Sequence, residues 1–134
     1  MKFSEVVKRV IDLATPINEY WERELRKRHP KYPLVDPAVP DPPPPPQEEE
    51  LRQFLRSLPA EEVHKLVEIY HLGRGDFNAA DFPGAVRRGA KSGPVPDHLI
   101  EEMASGSLNE FFVNGVHELR LAGVDVDAPA PAAA

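Results

Sequence analysis

Nine of the eighteen residues from 29 to 46 are proline, at positions 30, 33, 37, 40 and 42 to 46. No other feature restricts the fold as much. Proline fixes φ and removes a backbone donor, so this stretch can be neither a helix nor an inner sheet strand. Residues 42–46 are five consecutive prolines, which favours polyproline II at about 3.1 Å per residue. The segment divides the chain into an N-terminal unit, residues 1–28, and a body, residues 47–123, with 29–46 as a proline-rich linker. A groove-binding ligand of the SH3 or WW type is the alternative reading of the prolines. The Lys31–Pro37 part carries apolar residues and is expected to lie against the body.

The N-terminal unit reads as one long helix. Phe3, Val6, Val10, Leu13, Ile17 and Tyr20 alternate spacings of three and four, and Val7, Ala14 and Trp21 widen that stripe. Pro16 would cost a helix interior about 3 kcal/mol, yet the apolar phase passes through it without a slip, which predicts a kinked helix rather than two. Ser4 is a candidate cap, and the basic Arg23–His29 end suits the negative pole of the helix dipole. The stripe is expected to pack on the protein's own core, with a homodimer seam as the alternative.

The body centres on Leu58–Asp76. Pro59 suits the first helical turn, Glu61 and Glu62 follow it, and Val63, Leu66, Val67 and Tyr70 have the spacing of one buried face. Gly73 is expected to stop the helix with positive φ, Gly75 to act as a hinge, and Asp76 to cap the next helix. Flanking it, Leu51, Phe54, Leu55 and Leu58 predict a preceding helix. A weaker helix is expected over about 79–90, with Phe82, Val86 and Ala90 facing inward. Another is expected over about 97–104, with Leu99, Ile100 and Met103 buried. A last helix follows the Ser107–Glu110 capping box and carries Leu108, Phe111, Phe112, Val116 and Leu119. Gly115 in its interior predicts close helix packing. Residues 124–134 read as a disordered tail. Without any strand pattern, the fold class is all-α: a small irregular helical bundle of about five to six helices.

Composition narrows the function classes. Cysteine is absent, which excludes disulfides, thiolate nucleophiles and cysteine-held metals. A net charge of −6 argues against a nucleic-acid partner. No apolar run reaches a membrane span, and the charged N-terminus lacks a signal-peptide core. The expectation is a soluble cytoplasmic protein without a cofactor.

Two constellations are candidates for chemistry. Arg74 lies between two glycines beside a helix end, so with Asp76 and His71 it could bind an anion or small metabolite. Against this, no lysine-serine pair follows as in a phosphate loop, and the structural reading is a helix stop and turn. His64, Glu68 and His71 fall within about one sixth of the helix circumference and are a possible zinc or iron ligand set. No metalloprotease pattern accompanies them, and a polar stripe beside the buried face is the plainer reading. No catalytic triad, carboxylate pair or phosphate loop is visible, which favours a protein-interaction or regulatory module, possibly self-associating, over an enzyme.

The order L-P-x-E, an apolar helix ending L-G-R-G-D-F, a weak helix and a closing pair resembles a bacterial family known as a domain of unknown function. Leu58, Pro59, Leu66, Val67 and Leu72 carry the resemblance together with Gly73, Arg74, Gly75 and Asp76, over about Leu58 to Gly123. It implies a helical fold and no established activity. His71 and Glu68 stand where that family is expected to hold an aromatic and a small apolar residue, which speaks against a shared metal site.

Overall fold

The computed structural model describes residues 2–105 and 109–127. Six α-helices account for most of it: α1 (Phe3–Arg28), α2 (Pro46–Ser57), α3 (Ala60–Arg74), α4 (Phe82–Lys91), α5 (Asp97–Ala104) and α6 (Asn109–Leu121). A short 3-10 turn, Ala79–Asp81, precedes α4. Among the described residues there is no strand, and no helix is long and apolar enough to cross a membrane. The protein is a small all-α bundle.

α1 is continuous through Pro16. The missing Pro16 N–H leaves the Asp12 carbonyl without its helical donor, and Asp12 lies on the exposed side, where water can take its place. Thr15 donates its hydroxyl to the Ile11 carbonyl at 2.8 Å. Phe3, Val6, Val7, Val10, Leu13, Ala14 and Ile17 are buried in the common core, so the stripe serves the chain's own interior. Beyond Ile17 no side chain of α1 is fully buried. Tyr20 and Trp21 are half-covered there.

What covers them is the returning chain. Pro42 and Pro45 are buried, one polyproline turn of three residues apart. The Tyr20 hydroxyl donates to the Pro43 carbonyl, and the Trp21 indole N–H donates to Glu48 at 3.2 Å. The proline segment is therefore docked along α1, which a pure spacer would not be. The Lys31–Pro37 part corrects the expectation in the opposite direction: Leu34 is 72 % exposed and Val35 52 %.

α3 is buried on more than one side, with Val63, His64, Leu66, Val67, Ile69, Tyr70 and Leu72 all inside. It packs most closely on α6 and then on α4, while α1 lies on α2 and α6, and α2 on α5. The middle helix thus has α6 and α4 as its main neighbours, and it meets α1 through the shared core and through Lys65, whose Nζ lies 5.1 Å from the Phe3 ring centre. Two glycines set the α3–α6 distance. A Cβ on Gly73 would lie 1.6 Å from the Phe111 carbonyl oxygen, and one on Gly115 would lie 2.0 Å from that of Ile69. The two backbones touch where both side chains are absent, as the interior Gly115 foretold. Gly73 is consequently helical, and the stop comes two residues later. Gly75 adopts φ +94°, and the Gly75 and Asp76 N–H groups donate to the Leu72 and His71 carbonyls at 3.0 and 3.1 Å, a Schellman ending.

Other expectations need correction. Ser4 does not cap α1 with its side chain; its N–H instead donates to Asp127 at 2.9 Å. Val124 and Val126, expected in a disordered tail, pack on the core, and residues 128–134 lie outside the described residues. Ala90 is exposed, and Ala85 is buried beside Phe82 and Val86, the residues three before and one after it. Leu99, Ile100 and Val116 are only half-buried, and Phe111 is exposed. Ser107 and Leu108 lie outside the described residues.

Candidate functional site

At the end of α3 the Schellman turn reverses the chain and brings Asp76 back alongside Arg74. The guanidinium clasps the carboxylate with Nε at 3.2 and 3.1 Å from its two oxygens and Nη2 at 2.5 Å. Nη1 donates to the Tyr70 hydroxyl at 3.3 Å, and the guanidinium carbon lies 5.2 Å from the centre of the Tyr70 ring. The hydrogen bonds from Arg74 hold the Asp76 carboxyl below the usual carboxylate range. Both side chains remain open to water, 45 % and 39 % exposed. Arg74 thus has its anion already. Asp76 is spent on that pair and does not cap the next helix, where Asn78 precedes the 3-10 turn without a side-chain cap.

His71 lies at the edge of the same turn. Its ring is tilted against Tyr70 at 5.4 Å, and its Nδ1 is 3.5 Å from Glu68. His64 has a different partner. It is buried, and its Nε2 stands 2.5 Å from the Gly93 carbonyl oxygen, so Nε2 carries the proton and donates to that carbonyl. α4 comes close here because Gly89 has no side chain; a Cβ there would lie 3.1 Å from His64 Nδ1. His64 fastens the segment after α4 to α3, whereas Glu68 and His71 pair with each other. Among the described residues no three histidine or carboxylate side chains converge into a group able to hold a metal ion.

Four hollows lie elsewhere, and none of them has Arg74, Asp76 or His71 in its wall. One, of about 190 Å³, is the seam between α1, α6 and the tail. Another, of about 360 Å³, lies between α1 and the docked prolines. A third, of about 480 Å³, has Trp21, Leu25 and Tyr32 in its wall. A fourth, of about 420 Å³, opens between the end of α1 and the loop that follows, with Arg28, Lys31, Leu34, Val35, Asp36 and Val39 in its lining.

The helical order around the turn has a counterpart in known sequences. Residues 48–110 match the family described as Protein of unknown function (DUF3775). The match starts about ten residues before Leu58 and ends in the first turn of α6, so a family of unknown function does match, over a span shifted from Leu58–Gly123. α1, the proline segment and nearly all of α6 lie outside the DUF3775 segment. No curated protein and no solved structure matches the chain.

The loop groove was not singled out in the sequence. Its signals were there: a basic run ending α1 and an apolar Leu34–Val35 pair between prolines. The basic run reads equally well as a dipole complement, and an apolar pair reads by default as buried.

Proposed function

We propose that the chain is a helical protein-interaction or regulatory module, working in the cytoplasm. The observation that carries this reading is where its large apolar side chains remain outside. Leu34 and Val35 project from the loop after α1, and Phe111, Val113 and Leu121 from α6. Exposed apolar groups that the bundle does not use for its own core are what a partner surface employs. The absence of cysteine fits a reducing compartment.

The rival reading, a small anion- or metabolite-binding protein or enzyme at the Gly73–Asp76 turn, has less support. A ligand would first have to displace the Asp76 carboxylate from Arg74. Excess inorganic phosphate is therefore expected to leave the melting temperature unchanged, since only a ligand preferring the folded state raises it. Native mass spectrometry of the protein isolated from its own cell tests the main reading. The expected result is a stoichiometric second polypeptide or a second copy. A copurifying metabolite in place of a polypeptide would replace it with the rival.

A further inference from the structure

The corner between the end of α1 and the loop of residues 29–41 combines three properties. The first is charge. Five cations, Arg23, Arg26, Lys27, Arg28 and Lys31, and one carboxylate, Glu24, fall within residues 23–31 of a chain whose net charge is −6. Arg26 is paired with Glu22 at 3.0 Å and Arg28 with Glu24 at 3.5 Å. Lys27 and Lys31 are exposed and in no ion pair among the described residues. A local positive field on an acidic protein attracts and orients acidic partners.

The second property is rigidity. His29 is buried, and its Nδ1 accepts the Asp36 N–H at 3.2 Å. Asp36 in turn accepts the Ala38 N–H through its side chain at 2.9 Å and the Val39 N–H through its carbonyl at 3.1 Å. The Leu34 N–H donates to the Lys31 carbonyl at 2.9 Å, and the Arg26 guanidinium carbon lies 5.4 Å from the Tyr32 ring centre. The loop is fastened at each end and in the middle, so little ordering entropy remains to be lost on binding.

The third is shape. Leu34, Val35 and Val39 line the groove of about 420 Å³ together with Arg28, Lys31 and Asp36, whose carboxylate accepts the Ala38 N–H. An apolar hollow with Lys31 in its lining and in no ion pair among the described residues accepts a side chain with an acidic neighbour. A flat anionic bilayer would meet the lysines and leave the hollow unfilled.

We propose that this corner docks an acidic peptide segment of a partner protein. One large aliphatic or aromatic side chain would seat against Leu34, Val35 and Val39, and an adjacent carboxylate would meet Lys31. The proposal rests on the interaction-module reading and names the partner's chemistry. Its residues all precede the segment matched to that family.

The test uses the full chain, a displayed library of random peptides, and a Lys31→Glu/Leu34→Ser double variant for counter-selection. Both residues are exposed, and an unchanged melting temperature verifies the fold; Val35→Thr serves should the double variant be unstable. Enriched peptides should be acidic around one large apolar residue, weaken with added salt, and lose about tenfold or more in affinity on the variant, a loss of about 1.4 kcal/mol or more. Peptides without acidic bias, no enrichment at all, or equal binding to the variant overturn the proposal. So does sedimentation with phosphatidylserine vesicles that is lost in the variant while no peptide binds. Peptides that map to α6 would sink this corner and leave the interaction-module reading standing.

Discussion

Gly73 and Gly115 show how much one missing methyl can decide. Each faces a backbone carbonyl of the opposite helix closer than any Cβ contact allows, and no flexible side chain is available to yield. Gly115→Ala must push α6 off α3 and is expected to cost about 2–3 kcal/mol, as overpacking of a tight interface does. In a domain of this size that lowers the melting temperature by roughly 10 °C, measurable by circular dichroism. Gly75→Ala meets no atom within 4 Å and pays only for its left-handed φ, about 1 kcal/mol. The Arg74–Asp76 clasp belongs to the weak end of the same scale. Exposed ion pairs contribute roughly 0–1 kcal/mol. Because the folded Asp76 carboxyl lies below its ordinary value of 3.8, its stabilisation is present above that value and fades as pH falls through the depressed one. The urea midpoint of Asp76→Asn should thus differ slightly from wild type at pH 7 and converge with it in strong acid.

At the scale of elements, helices are tied at their ends by residues far away in sequence. The first turn of α1 has no cap from its own neighbours and takes Asp127, 123 positions along, as the acceptor for Ser4. The backbone N–H of Ser4 keeps the Asp127 carboxyl below the usual carboxylate range, as expected for an anion at the positive end of a helix dipole. Asp127→Ala should increase amide hydrogen exchange in the first turn of α1 while leaving α3 protected, which mass-spectrometric exchange resolves. The α2–α5 contact is similarly polar. Glu101 accepts from Arg52 at 3.0 and 2.9 Å and from Arg56 at 2.8 Å, while Asp97 accepts from Arg56 at 2.9 Å. Glu101 serves two arginines, so removing its charge weakens both pairings, although Arg56 keeps Asp97 and Arg52 keeps Glu48 and Glu49. Glu101→Gln is therefore expected to lower the urea midpoint more than Asp97→Asn does.

Taken as a whole molecule, the bundle extends well beyond the segment that matches a known family. The DUF3775 segment, residues 48–110, contains α3 but neither α1 nor most of α6, and α6 is the helix α3 packs on most closely. Leu66, Ile69 and Leu72 share their core with Val6, Val10 and Ile17 of α1 and with Phe112 and Leu119 of α6. A fragment of residues 48–110 would uncover that core, and at about half the chain's size it has little other burial to stabilise it. It is expected to lack cooperative thermal unfolding and the near-ultraviolet signal of packed aromatics, whereas residues 2–127 should retain both.

Local chemistry determined much of this molecule. The proline cluster stopped any helix between α1 and α2, the heptad-like stripe carried α1 through Pro16, and Pro59 with the acidic first turn started α3. These are short-range effects of dihedral restriction, dipole and period, and they are written in neighbouring residues. Tertiary structure decided what touches what. Gly73 and Gly75 are alike in sequence, yet one is a helix contact and the other a stop, because only one of them meets α6. His64 sits on the same helix face as Glu68 and His71, yet it turned inward to the Gly93 carbonyl because Gly89 let α4 approach. Arg74 looked like a free cation until the turn brought Asp76 beside it, and Leu34 and Val35 looked like core until the loop closed with them outside. Burial and pairing depend on which distant surfaces meet, and that follows from the packing of all six helices together.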